Sequence, residues 1–212
     1  AANELGGGLK ATTAPKYYKL KLPELKATKT VDKLPKIQIN IAKPEDASVV
    51  QKHLPDSDKG SYIQKWLVAQ NRNETLLLVA WVTDETGELR PVGRVTLVMT
   101  PPKEEISRFL GGKVAGVEAL LVDEKMRRQG IGEALMARLE DEARERGFKI
   151  IQLGVESKSL PAVNLYKKLG YRDWGHGQIT SSWVENRNGK KETVSVQTDV
   201  LIRKLDGLNS SE

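Results

Sequence analysis

Cysteine is absent from the 212-residue chain. That excludes disulfide frameworks, thiolate metal sites and cysteine nucleophiles together, and it suits a reducing compartment. Histidine is scarce, limited to His53 and His176, and aromatic residues make up only 5%. Long hydrophobic runs are missing too. Leu76–Val82 and Ala119–Val122 are the longest, far short of the roughly 20 apolar residues that span a bilayer. No basic-then-apolar leader opens the sequence, so a cytoplasmic location with no membrane partner is expected.

What is present is a globular composition, 39% hydrophobic and 29% charged, of a length that suits one α/β domain. The net charge of +6 is unevenly placed: eight lysines and three acids give residues 1–36 a charge of +5. The excess therefore belongs to a lysine-rich arm and says little about what the domain binds. With Gly6–Gly8 and three prolines, residues 1–35 read as a largely extended arm. The domain is expected over 36–206 and a short tail over 207–212. Nucleic acid is not an expected partner, and a homodimer is left open.

Period-two alternation marks Ile37–Ile41 as a strand. Helices are expected over Pro44–His53, which opens on proline and acids, and over Ser61–Gln70. Thr75–Thr83 and Pro91–Thr100 flank a turn at 84–88, and 101–116 reads as a loop with one helical turn near Glu104–Leu110. Val117–Val122 is a strand, Ile131–Arg146 a helix, Lys149–Val155 a strand and Ser159–Leu169 a helix. A strand starts at Tyr171–Trp174, and Ile179–Glu185 with Thr193–Lys204 form a hairpin. The fold class is mixed α/β, with helical crossovers wherever strands run parallel.

The chemistry concentrates in Val117-Glu118-Ala119-Leu120-Leu121-Val122-Asp123-Glu124-Lys125-Met126-Arg127-Arg128-Gln129-Gly130-Ile131-Gly132. A strand enters a basic, glycine-containing turn that opens a long helix. Glycines 130 and 132 admit an anion close to the backbone, where the free N–H groups and positive dipole end of the helix suit a pyrophosphate. Arg127 and Arg128 add charge. A Rossmann fingerprint fails because residue 135 is Leu, and no P-loop spacing occurs. Locally, a purely structural strand–turn–helix stays open. On the helix, Glu140–Arg144 and Glu142–Arg146 read as i,i+4 pairs on the wet face.

Arg127-x-x-Gly130-x-Gly132 resembles the [QR]-x-x-G-x-[GA] loop of the GNAT superfamily of acyl-CoA-dependent N-acyltransferases. Ser159–Tyr171 resembles that family's next block, N-x-x-A-x-x-[LF]-Y-x-x-x-G-[FY]. The resemblance covers roughly 36–205, strongly over 117–171. It implies a GNAT-like mixed sheet of six or seven strands, flanked by about four helices and splayed between 117–122 and 149–155, where acetyl-CoA would enter as co-substrate.

The same resemblance implies roles. Main-chain groups of Arg128, Gln129, Gly130, Ile131 and Gly132, with Glu133, would hold the pyrophosphate. The backbone along Leu120, Leu121 and Val122 would pair with the pantetheine arm, and the N–H of Leu120 would polarise the thioester carbonyl. Tyr166 would protonate the departing thiolate; its plain alternative is a packed helix tyrosine. Ser159 stands where the family has an asparagine on the cofactor arm, and it also suits an N-cap; Asn164 sits one step off that face. Glu118, in the thioester strand, is the candidate base, with side chains 118, 120 and 122 taken to share one face. A structural or amine-binding role is its alternative, and Asp123 could instead cap the turn.

His53 reads as a helix-end cation and His176 as an exposed loop residue. Trp66, Trp81, Trp174 and Trp183 read as core, with a role in the acceptor wall left open for Trp174 and Trp183. No metal is called for. The expected activity is transfer of acetyl from acetyl-CoA to a primary amine of a small molecule (antibiotic, polyamine or amino-acid-like) or to a peptide N-terminus. The alternative from another class is a non-catalytic module that senses acyl-CoA or binds RNA or protein.

Overall fold

The computed structural model describes residues 37–55, 61–187 and 190–205. The lysine-rich arm and the last seven residues, on which two of the sequence expectations fall, lie outside them. In chain order the elements are β1 (Ile37–Ile41), a 3₁₀ turn (Pro44–Asp46), α1 (Ala47–His53), α2 (Ser61–Gln70), β2 (Thr75–Thr83), β3 (Leu89–Val98) and α3 (Glu104–Leu110). They continue with β4 (Val114–Val122), a 3₁₀ turn (Glu124–Met126), α4 (Ile131–Glu145), β5 (Ile150–Val155), α5 (Leu160–Lys168), β6 (Arg172–Arg187) and β7 (Lys190–Lys204).

The strands form one open mixed sheet in the order β1-β2-β3-β4-β5-β7-β6. Every neighbouring pair is antiparallel except β4 and β5. The run Leu76–Val82 shows why β2 is apolar throughout. Leu76, Leu78, Ala80 and Val82 face the core under α4, with Leu135 and Leu139. Leu77, Val79 and Trp81 face α1 and α2, with Val50 and Trp66. A strand covered on both faces has no polar side to show.

The parallel ladder is short. Only Val114–Gly116 pair with Ile150–Gln152, while β4 runs on to Val122 and β5 to Val155. The two strands part beyond that point, and the sheet opens into the expected V. Side-chain packing of Ala115, Val117, Ile151 and Leu153 joins the halves beneath it.

Four expectations need correcting. Residues 101–116 are not mainly loop: α3 is a two-turn helix anchored by buried Ile106, and β4 starts at Val114. The last strands are longer than the sequence suggested, because β6 is continuous through an irregularity between Asp173 and Gln178. Glu140 and Glu142 do not lie on the wet face of α4. Each is 3% exposed: Glu142 pairs with Arg138 and Arg146, and Glu140 accepts hydrogen bonds from Tyr171 and Arg203. Helix α4 is thus enclosed on more than its apolar stripe. The fourth concerns the faces of β4, described with the site. Among the described residues, no helix is long and apolar enough to cross a membrane.

Candidate active site

The site starts from an irregularity in β4. Arg94 pairs with Leu121 and Thr96 with Glu118, so Val95 alone is opposed by two residues, Ala119 and Leu120. This is a β-bulge, and Ala119 takes the left-handed φ of 55° that a residue with a Cβ seldom adopts. The extra residue shifts the alternation. Glu118, Ala119 and Leu121 lie on the α1–α2 side, whereas Leu120 and Val122 pack on the α4 side. The expectation that 118, 120 and 122 share a face fails for this reason.

The bulge also sets the main chain. Asp123 N–H donates to the Val92 carbonyl at 2.9 Å, so by alternation Leu121 faces β3 while Leu120 and Val122 turn their polar groups away from it. On that side β5 has already departed. The result is a free strand edge aimed into the V.

Arg94 holds the bulge from below. The side chain is 3% exposed. Its Nε donates to the Leu54 carbonyl at 3.2 Å and its Nη1 to the Ala119 carbonyl at 3.3 Å, and the guanidinium lies 5.3 Å from the Trp66 ring centre. One cation therefore ties the end of α1, the face of α2 and the bulge.

Trp66 in turn donates a hydrogen bond to Glu118. The Glu118 carboxylate reaches the open cleft, yet its walls exclude enough water that burial raises its pKa, and the Trp66 hydrogen bond pulls it partly back. Tyr62 stacks on Trp66 at 5.8 Å, and its hydroxyl donates a long 3.5 Å hydrogen bond to the Val184 carbonyl of β6. Helix α2 and the β6–β7 ribbon therefore stand on opposite sides of the cleft and meet over it.

Beyond Val122 the chain turns sharply. Asp123 does cap: it accepts from Lys125 N–H at 2.9 Å and from Arg90 at 2.7 Å, and the Arg90 guanidinium holds its pKa below the ordinary value. Arg128 and Gly130 both adopt left-handed φ, 61° and 79°, with Gly130 as the N-cap of α4. Successive turns of this kind direct N–H groups into one concavity, and the first N–H groups of α4 add to it. A pyrophosphate fits such a cradle.

Gly132 has a packing reason to be glycine as well. A Cβ there would lie 3.3 Å from Leu165 of α5 and 3.9 Å from Val122, so it serves helix packing. Arg127 is occupied as well, donating from Nε to the Val122 carbonyl at 3.1 Å and pairing with Glu124. Gln129 folds back on Lys125 and Met126, Ile131 is buried, and Glu133 pairs with Lys168 at 2.6 Å.

Helix α5 presents Tyr166 inward, 8% exposed and 5.8 Å from the Tyr171 ring, and burial pushes its phenol up to about 12. A phenol so shifted stays protonated throughout the neutral range. Ser159 takes the N-cap position without a side-chain cap, and Asn164 faces solvent. His53 ends α1. His176 is exposed, as expected, at the irregularity of β6, and it stacks on Phe109 at 4.0 Å with Trp174 edge-on. A cavity of about 360 Å³ lined by Met99, Pro101 and Phe148 lies at the start of β4, away from these groups.

Two residues escaped the sequence reading. Arg94 carried a usable signal, a cation inside the apolar run Val92–Val98, and Trp66 carried none that separated it from core. The arrangement as a whole offers an anion cradle, a free strand edge, a carboxylate of raised pKa and a protonated phenol, on elements meeting at one V.

A model of the acetyltransferase (GNAT) family matches residues 42–171, more than half of the chain. The chain belongs to that family. The match runs from just before α1 through the bulge, the turn at 128–130 and α5. An uncharacterised N-acetyltransferase of Methanocaldococcus jannaschii is 30% identical over 79 residues, 37% of this chain and 34% of the relative. The [ribosomal protein bS18]-alanine N-acetyltransferase of Escherichia coli is 29% identical over 75 residues, 35% of this chain and 49% of the relative. The chain thus spans between a third and a half of these curated relatives.

Solved structures extend the likeness of fold. Arabidopsis thaliana NAA60 in complex with acetyl-CoA superposes with a TM-score of 0.60 at 20% identity, over 81% of this chain and 99% of that one. A putative acetyltransferase of Salmonella typhimurium with acetyl-CoA gives 0.55 at 18% identity, over 83% and 98%.

Proposed function

We propose that this protein transfers the acetyl group of acetyl-CoA directly to a primary amine. The observation that carries the reading is the bulge at Ala119 set where the β4–β5 ladder has ended: it puts an unpaired strand edge, a carboxylate and an anion cradle around one opening. The N–H groups from Arg128 to Glu133 would hold the pyrophosphate, and the edge at Leu120 and Val122 would hold the pantetheine arm. Since Arg127 occupies the Val122 carbonyl, the Val122 N–H is the group left for that arm. Acetyl-CoA supplies an activated acyl group and a thiolate leaving group.

The chain's own residues then manage charge and protons. Glu118 takes a proton from the incoming ammonium at its carboxylate, and the raised pKa makes it a better base for that purpose than an exposed glutamate. The Leu120 N–H donates to the acyl oxygen as negative charge grows there. As the C–N bond forms and the C–S bond breaks, Tyr166 Oη gives its proton to the departing sulfur, and the second proton shed by the nitrogen restores the phenol.

The acceptor is best read as a monoamine. A polycation needs several acids around it, and Glu104, one acid that could serve it, is exposed on α3 and paired with Arg108. The name of the E. coli relative, an alanine N-acetyltransferase of a ribosomal protein, brings a peptide N-terminus forward beside small amines.

Calorimetry with acetyl-CoA and release of free thiol over a panel of primary amines test the reading. Binding with turnover on a monoamine is the expected result. Binding without turnover on any amine would move the protein to a sensing role, and absence of binding would end the proposal.

A further inference from the structure

The crotch of the V holds a side chain that the acetyl-transfer reading leaves unused. Gly116 and Gln152 form the last pair of the β4–β5 ladder. On β5, Ile151, Leu153 and Val155 enter the core beneath α4 and α5, so Gln152 projects to the opposite face, the one carrying Glu118. There its amide lies across Gly116: a Cβ at that glycine would be 3.1 Å from Gln152 Nε2 and 3.4 Å from Val98 Cβ. A glycine inside a strand marks a close approach, and here the approaching group is this amide.

Gln152 is half-buried, and its amide makes no hydrogen bond among the described residues. With two donors and two acceptor sites, and open to solvent, the amide is available to a ligand. The next residue on the same face, Gly154, has no side chain, and beyond it Ser181 and Thr198 satisfy each other at 2.9 Å. The floor therefore runs from Glu118 past one free amide onto open, uncharged backbone.

We infer that Gln152 is the second anchor of the acceptor, recognising a carbonyl one carbon from the reactive amine, so that the substrate class is an α-amino carbonyl compound such as an amino-acid amide or the first residue of a polypeptide. The inference rests on the acetyl-transfer reading and specifies its acceptor. Spacing supports it. The amide lies over Gly116, and positions 116 and 118 are two apart on one strand face, about 7 Å along β4, a span that the Glu118 side chain can shorten. An amine near Glu118 and a carbonyl near Gln152, each at hydrogen-bond distance, are bridged by roughly the 3 Å of a single H₂N–C–C=O unit. A long alkyl diamine overshoots that gap and leaves the amide unmatched.

The test compares alaninamide with ethylamine as acceptors for wild type, Gln152→Leu and Gly116→Ala. The ratio of kcat/KM between the two amines is the readout, because comparing that ratio across variants cancels their different basicity. Loss of the amide should lower the ratio about tenfold, the usual effect of one lost hydrogen bond. Gly116→Ala, which displaces the amide but retains it, should lower the ratio in the same direction. Acetyl-CoA affinity, measured by calorimetry, reports whether the V remains intact. Equal losses on both amines, or an unchanged ratio in Gln152→Leu, overturn the inference. Acetyl-CoA binding without acetylation of any amine overturns the acetyl-transfer reading, and this one falls with it.

Discussion

Replacing Arg94 with methionine is the sharpest perturbation of the site that leaves every proposed reacting group in place. Methionine keeps an unbranched stem of similar length, so packing changes little and the loss is that of the guanidinium. The hydrogen bonds at 3.2 and 3.3 Å go, along with the contact over Trp66 at 5.3 Å. Long bonds from a charged donor contribute about 1 kcal/mol each, and a desolvated cation–π contact about 2 more, so the fold should lose about 4 kcal/mol. Denaturant unfolding followed by tryptophan fluorescence measures it. Because the Ala119 carbonyl loses its partner, the bulge should relax and kcat should fall about tenfold or more. Affinity for acetyl-CoA should hold, since the cradle at 128–133 does not touch Arg94. A stability loss below about 1 kcal/mol together with an unchanged kcat would refute the idea that this cation sustains the bulge.

Other expectations follow from the same geometry. Tyr166→Phe should cut kcat by about 100-fold while leaving acetyl-CoA affinity unchanged, read by thiol release and calorimetry. Activity in wild type should rise with pH as Glu118 loses its proton, with a midpoint above the ordinary glutamate value. Trp66→Phe removes a donor to the charged carboxylate, so that limb should move to still higher pH in a kcat/KM profile. Glu118→Gln should slow turnover yet stabilise the fold above neutral pH: a carboxylate with a raised folded pKa loses stability as pH climbs through that pKa, and the amide does not titrate. Gly130→Ala forces a Cβ onto φ of 79° and should weaken acetyl-CoA binding several-fold with a stability cost of about 1 kcal/mol.

Much of the frame was legible because local signals agreed with tertiary ones. Alternation located β1, proline and acids located α1, and Gly147, with φ of 76°, stopped α4 where the periodic stripe ended. The splay was legible only through the family resemblance. The bulge was not legible. Nothing in Val117–Val122 announces a left-handed alanine, since the strain is held by Arg94, a residue 25 positions earlier. One inserted residue then moved Glu118 to the other face from Leu120, so strict period-two reasoning failed there. The enclosure of Glu140 was hidden similarly, because its partner Arg203 lies 63 residues away. Gly132 shows a glycine noticed for close approach of an anion where the fold adds a second reason, the packing of Leu165.

A sheet whose two leaves share three residue pairs of main-chain ladder behaves like a book with a narrow spine. The leaves are glued by apolar side chains, whose attraction has no direction, so the angle between them can change by small amounts with no main-chain bond broken. Amide protons bonded across the β4–β5 seam should accordingly trade with heavy water faster than those deep in β2 and β3, and filling the gap should slow that trade by closing the covers on what lies between.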